Sequence, residues 1–164
     1  MKQVLLIITL LFIVQCSFAQ TSYYKGEWTT KNKYDLFTGI FKIEIKKDGT
    51  ANAELLWIYQ ATDSSNQEMV NLYNGKKGKS GIEYATGNFA ANTNDLYFEG
   101  KEKDDPHVIL GVDKYHLKLA ANKQAIYGYT ETGGTNEGLL YAVKMNEAGG
   151  KKEFMAAKAK VKKL

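Results

Sequence analysis

The strongest constraint on this chain is a period of two, written most cleanly on either side of Asp48-Gly49. Residues 40–46 read IFKIEIK, with Phe41, Ile43 and Ile45 on one face and Lys42, Glu44 and Lys46 on the other. Residues 50–60 read TANAELLWIYQ. Ala51, Ala53, Leu55, Trp57 and Tyr59 share a face, and the opposite face begins polar at Asn52 and Glu54 and turns apolar at Leu56 and Ile58. Successive side chains of a strand point to opposite sides of the sheet, so this alternation describes half-buried strands. Asp-Gly between them is a tight-turn dipeptide, because glycine takes positive φ without steric cost.

The same grammar runs along most of the chain. Strands are predicted at 23–30, 82–90, 95–103, 107–110 (short), 114–120, 124–131 and 138–145, separated by turn residues such as Asn92-Thr93-Asn94, Asp104-Asp105-Pro106, Asn122-Lys123 and Gly133-Gly134. Residues 61–81 are irregular, with one helical turn expected around 68–73 and an exposed Gly/Lys loop at 74–81. Glycine and aromatic residues recur without a fixed period. Short connections make sequential strands antiparallel neighbours. No long helical segment remains to cover a sheet face, so eight or nine strands bury their apolar side best by closing on themselves. The expected fold is all-β: a single antiparallel up-and-down barrel of about eight strands, with a short C-terminal helix or disordered tail.

Both ends differ from this body. Residues 1–19 have the parts of a secretory signal peptide: Lys2, an apolar run over 4–14, and small residues at Ser17 and Ala19, which place cleavage between Ala19 and Gln20. The run is too short to span a bilayer, which takes about 20 apolar residues. The expected location is periplasmic or extracellular. Attachment as a lipoprotein through Cys16 is disfavoured by Gln15, which is large and polar where such sites carry a small residue. The expected divisions are a signal peptide (1–19), a barrel domain (20–146) and a basic C-terminal tail (147–164). In the tail, Phe154, Ala157 and Val161 recur at helical spacing among lysines. A basic amphipathic tail could touch acidic surfaces, but so thin a stripe points to a solvated, frayed end.

Composition narrows the function. Cleavage would remove the only cysteine, leaving a domain without disulfide or thiol in a compartment that permits disulfides. All 22 basic residues are lysine, and the net charge is only +4. Arginine dominates phosphate and base recognition, so a nucleic-acid partner is not expected. The oligomeric state is open.

Gly26-Glu27-Trp28 on the first strand resembles the Gly-x-Trp of lipocalin-like and avidin-like up-and-down barrels. Val112-Asp113-Lys114-Tyr115 is a loose analogue of the lipocalin Thr-Asp-Tyr element. The resemblance implies that Trp28 plugs the closed end of the barrel, and that Lys144 covers its ring where lipocalins use an arginine.

Catalytic motifs are lacking. His107 and His116 are too few for a zinc site, and no cofactor is expected. His116 lies between Lys114 and Lys118 on a polar face, and Asp104-Asp105-Pro106 beside His107 reads as a turn cap rather than a calcium ligand set. Gly-Lys-Ser at 78–80 lacks the first glycine of a phosphate loop, since position 73 is Tyr. Glu44 and Glu54 flank the hairpin on its lysine-bearing side and read as a salt-bridged face. The aromatics are the more informative set. Trp57, Tyr59, Tyr84, Tyr97, Tyr127 and Tyr141 lie on strands across the sheet and, turned inward, would line an apolar cavity with hydroxyl handles. The leading expectation is an exported, non-enzymatic binding protein for a hydrophobic or aromatic small molecule. The alternatives are an envelope interaction module, with a filled barrel and a free C-terminal helix, and a hydrolase or isomerase. The last requires a cleft holding a carboxylate or histidine with a displaced pKa.

Overall fold

The computed structural model describes residues 20–31, 35–132 and 135–161, with side chains at 135–137 left aside. The expected leader, with Cys16 and Ala19, lies outside the described residues. Eight strands follow in order: β1 (Gln20–Thr30), β2 (Asp35–Ile45), β3 (Thr50–Thr62), β4 (Ser80–Ala90), β5 (Asp95–Asp104), β6 (Lys114–Leu119), β7 (Ala125–Thr132) and β8 (Thr135–Lys144). Each pairs antiparallel with the next, and β8 pairs with β1, which closes the barrel and leaves no sheet edge. Two helices complete it: α1 (Gln67–Leu72), between β3 and β4, and α2 (Glu147–Val161) after β8.

The central hairpin forms as its alternation predicts. Gly49 has φ 84°, and the Lys46 amide donates to the Thr50 carbonyl at 2.8 Å. Phe41 opposes Leu55 and Ile43 opposes Ala53 on the inner face, all buried. On the outer face Lys42 opposes Glu54 and bonds it at 2.7 Å, while Glu44 opposes Asn52. The two glutamates therefore do not pair.

The ends of the barrel are unlike. At one end the connections are tight turns at 46–49, 91–94 and 120–124. The interior there is filled by Tyr24, Ile43, Leu96, Leu117, Leu119 and Ile126, all buried in one cluster. At the other end the connections include the two long ones, 63–79 and 105–113, and the interior is less filled. The predicted strand at 107–110 is absent. The Asp105 carboxylate instead accepts the Ile109 and Leu110 amides at 3.0 and 2.7 Å, and Val108 sits at φ 53°. An acid that binds two successive backbone amides holds a loop and withholds those amides from a ladder.

The C-terminal segment is not a solvated tail. Phe154 and Val161 of α2 are buried against Tyr23, Ile40, Leu56 and Ile82 on the outer faces of β1–β4. Lys158 pairs with Glu54, and Lys25 reaches Glu153 at 2.5 Å. The apolar stripe is thin, but it meets an outward apolar strip that would otherwise be wet. Gly150 allows close approach, since a Cβ there would fall 2.4 Å from Tyr23 Cβ. Burying matched apolar surface at roughly 25 cal/mol per Å² is enough to dock such a helix.

Candidate functional site

The less filled end of the barrel contains a cavity of about 310 Å³. Its walls come from inward positions of the strands: Trp28 and Thr30 of β1, Asp35 and Phe37 of β2, Trp57 of β3, Glu83 of β4 and Thr132 of β7. The long loops add Met69 and Tyr73 from one side and Ile109, Leu110 and Asp113 from the other. Trp57 separates the cavity from the packed interior, its ring 4.6 Å from Phe41. Phe37 meets Trp28, Tyr59 and Tyr73 edge-on at 5.4–5.8 Å, and Tyr59 stacks on Tyr73 at 4.5 Å. The aromatic wall is thus braced, with centroid spacings in the favourable range.

Three carboxylates share this cavity. Glu83 is 1% exposed. Its Oε1 accepts the Asp113 amide at 2.9 Å, and its Oε2 accepts the Tyr115 hydroxyl. Gly100 gives it room, because a Cβ there would lie 2.0 Å from Oε1. Burial pushes Glu83 up to about 7, against the lowering effect of those two bonds. Asp35 is 2% exposed, and its Oδ1 accepts the Thr62 hydroxyl at 2.5 Å. Burial raises its pKa too, partly offset by Thr62. Asp113 accepts from Thr132 at the rim. Tyr73 is pushed up to about 12, first by burial and then by surrounding negative charge that includes Asp35. No described group of three acidic, His or Cys residues is placed to hold a metal ion.

The residues expected from sequence fall on both sides of the wall. Trp57 lines the cavity, and Tyr59 buttresses it from behind. The other four point outward and line no interior. Tyr84 donates to Asp104 at 2.7 Å beneath Lys158, and Tyr97 lies edge-on to His116 at 5.2 Å. Tyr127 and Tyr141 face each other across β7 and β8 on the outer surface, 44% and 55% exposed. Parity is the reason: Leu96 and Phe98, Ile126, Leu140 and Ala142 take the inward positions beside them.

Trp28 is not a plug at the closed end. It sits at the loop end and lines the cavity, its Nε1 donating to Thr130 Oγ1 at 2.8 Å. Its indole lies across Gly138, where a Cβ would come within 2.4 Å of the ring. Lys144 does not cover it. Lys144 pairs with Tyr24, and Trp28 with Leu140, four positions away, or about 13 Å at the rise of a strand. The sequence reading missed Asp35, Phe37, Tyr73 and Glu83. For Glu83 a signal existed: it shares inward parity with Ala85, an unusual place for an acid.

The arrangement can enclose a small ring system between aromatic walls and present carboxylates to its polar groups. The closed eight-stranded barrel is compatible with a lipocalin-like fold. No family model, no curated protein and no solved structure matches the chain.

Proposed function

We propose that this is an exported, non-enzymatic binding protein that holds a hydrophobic or aromatic small molecule in the loop-end cavity. The observation that carries the reading is the cavity itself: about 310 Å³, with Trp28, Phe37, Trp57 and Tyr73 among its walls. That volume lies at the lower end of small-molecule sites, about 300–1,000 Å³, and apolar walls with a few placed polar groups are what such sites have. The test is titration with N-phenyl-1-naphthylamine, a neutral aromatic fluorophore, beside native mass spectrometry of protein purified from its own source. A saturable one-to-one rise in emission is expected, lost when Ile109→Trp fills the cavity. No saturable rise, together with no added mass on the purified protein, overturns the reading.

The envelope-module alternative called for a filled barrel and a free C-terminal helix; the barrel has a cavity and α2 is docked. A proton-transfer enzyme is favoured by one observation, the raised pKa of Glu83 inside the cavity. Against it, both Glu83 oxygens already accept hydrogen bonds from the protein, and a general base must reach a substrate proton.

A further inference from the structure

We infer that the molecule held in this cavity is an organic cation, an aryl-alkyl amine whose ammonium group lies against Asp35 between the aromatic walls. This rests on the reading of the cavity as a small-molecule site and names the chemical class it takes.

Four observations lead there. Among the described residues that line the cavity, the groups able to carry charge near neutral pH are acids: Asp35, Glu83 and Asp113. No lysine lines it among the described residues. Two described lysines on the loop end have partners of their own. Lys76 Nζ donates to the Val108 carbonyl at 3.0 Å and lies 5.7 Å from the centre of the Tyr73 ring, and Lys103 Nζ donates to the carbonyl of the lining residue Leu110 at 2.5 Å and pairs with Asp105 at 3.7 Å. Asp35, almost wholly buried, has the Thr62 hydroxyl on Oδ1 and, among the described residues, no donor on Oδ2 and no salt-bridge partner. A buried carboxylate without a counter-charge is costly, and a ligand cation would offset that cost. The rings of Trp28 and Trp57 attract cations through the ring quadrupole, as in aromatic cages for ammonium groups, whereas Tyr73 already carries the stacked Tyr59 ring and the Lys76 ammonium.

A metal ion is the poorer match. The carboxylates are spread around the wall, and no described group of three could hold a metal ion. Glu83 is already satisfied by Tyr115 and Asp113. It adds field rather than a contact, which leaves Asp35 as the anchor. An anionic ligand would meet three acids and no lysine among the described lining residues.

Isothermal titration of the full folded protein with three indoles of similar size tests this: tryptamine (cation), tryptophol (neutral) and indole-3-acetate (anion). Tryptamine should bind one-to-one at least tenfold tighter than tryptophol, and indole-3-acetate weakest of all. Asp35→Asn should bring tryptamine down to the level of tryptophol while leaving tryptophol within about threefold, a difference small against one tenfold step of affinity. If the variant does not fold, the three-ligand comparison on the wild type still decides. Tryptophol equal to tryptamine overturns the charge assignment and leaves the small-molecule reading standing. So does failure of all three while N-phenyl-1-naphthylamine still binds saturably. Failure of that fluorophore as well, with no added mass on the purified protein, overturns both.

Discussion

Glu83 and Gly100 show how far this barrel goes to keep a carboxylate inside. Residue 100 has no Cβ where the Glu83 carboxylate lies, and the Tyr115 hydroxyl and Asp113 amide close around its oxygens. The arrangement has a thermodynamic consequence. Glu83 titrates near 7 when folded and near its ordinary 4.5 when unfolded. Between those values the folded chain holds the extra proton, so stability falls as pH rises from about 4.5 to about 7 and is flat above. At 1.36 kcal/mol per unit, this group accounts for a loss of about 3 kcal/mol. Asp35, also raised, contributes with the same sign. Glu83→Gln should therefore lose less stability between pH 5 and pH 8 than the wild type, read from urea midpoints at each pH. Equal losses would show that Glu83 does not carry the dependence.

Single residues also explain where sequence reading stopped. Tyr97 stands between Leu96 and Phe98, so its outward direction was legible from parity alone. Tyr141 was not. Its face carries Leu139 and Val143, which are exposed, while the inner face carries Leu140 and Ala142, which are buried. Both faces of β8 read as apolar, and period two cannot say which is inside.

At the scale of elements, the eight strands and the short helix follow from local pattern, and the docking of the long helix does not. The short helix α1 arises where one helical turn is expected, capped by Asn66, whose side chain accepts the Met69 amide at 3.2 Å. The long helix α2 is held by its partner surface. Its stripe of Phe154, Ala157 and Val161 was visible, but the strip it covers is assembled from β1, β2, β3 and β4. Phe154 is 1% exposed and packs on Tyr23 at 6.1 Å. Phe154→Ala should cost about 3–5 kcal/mol, measured by urea denaturation followed through tryptophan emission. A cost under 1 kcal/mol would mean that α2 is not docked in solution.

For the whole molecule, closure is the organising fact. Every strand has two neighbours, and the inner face is divided between a packed half and a cavity that holds both tryptophans. Ligand and fold are then linked: a molecule that binds only the folded barrel stabilises it by about 2.7 kcal/mol at a concentration 100 times its Kd. Under saturating tryptamine the urea midpoint should rise by that amount divided by the m-value. Tryptophol at the same concentration should raise it less. An unchanged midpoint with tryptamine would show that no folded-state site is filled.

The period of two and the turn dipeptides determined the strands, their antiparallel order and the barrel, because these depend on side-chain direction and on connections a few residues long. The stripe in 147–161 determined that a helix could form there. Tertiary structure alone decided the rest: that Trp28 opens onto the cavity instead of plugging the far end, that Lys144 lies four positions from its ring, and that Asp35, Phe37, Tyr73 and Glu83 converge. They come from β2, from the loop after α1 and from β4, separate in the chain and brought together by the pairing of β2 and β4 on either side of β3. A site built from contacts across a closed sheet has no signature in any local window. Its chemistry, acids facing rings with no lysine among the described walls, exists only after closure takes both out of water.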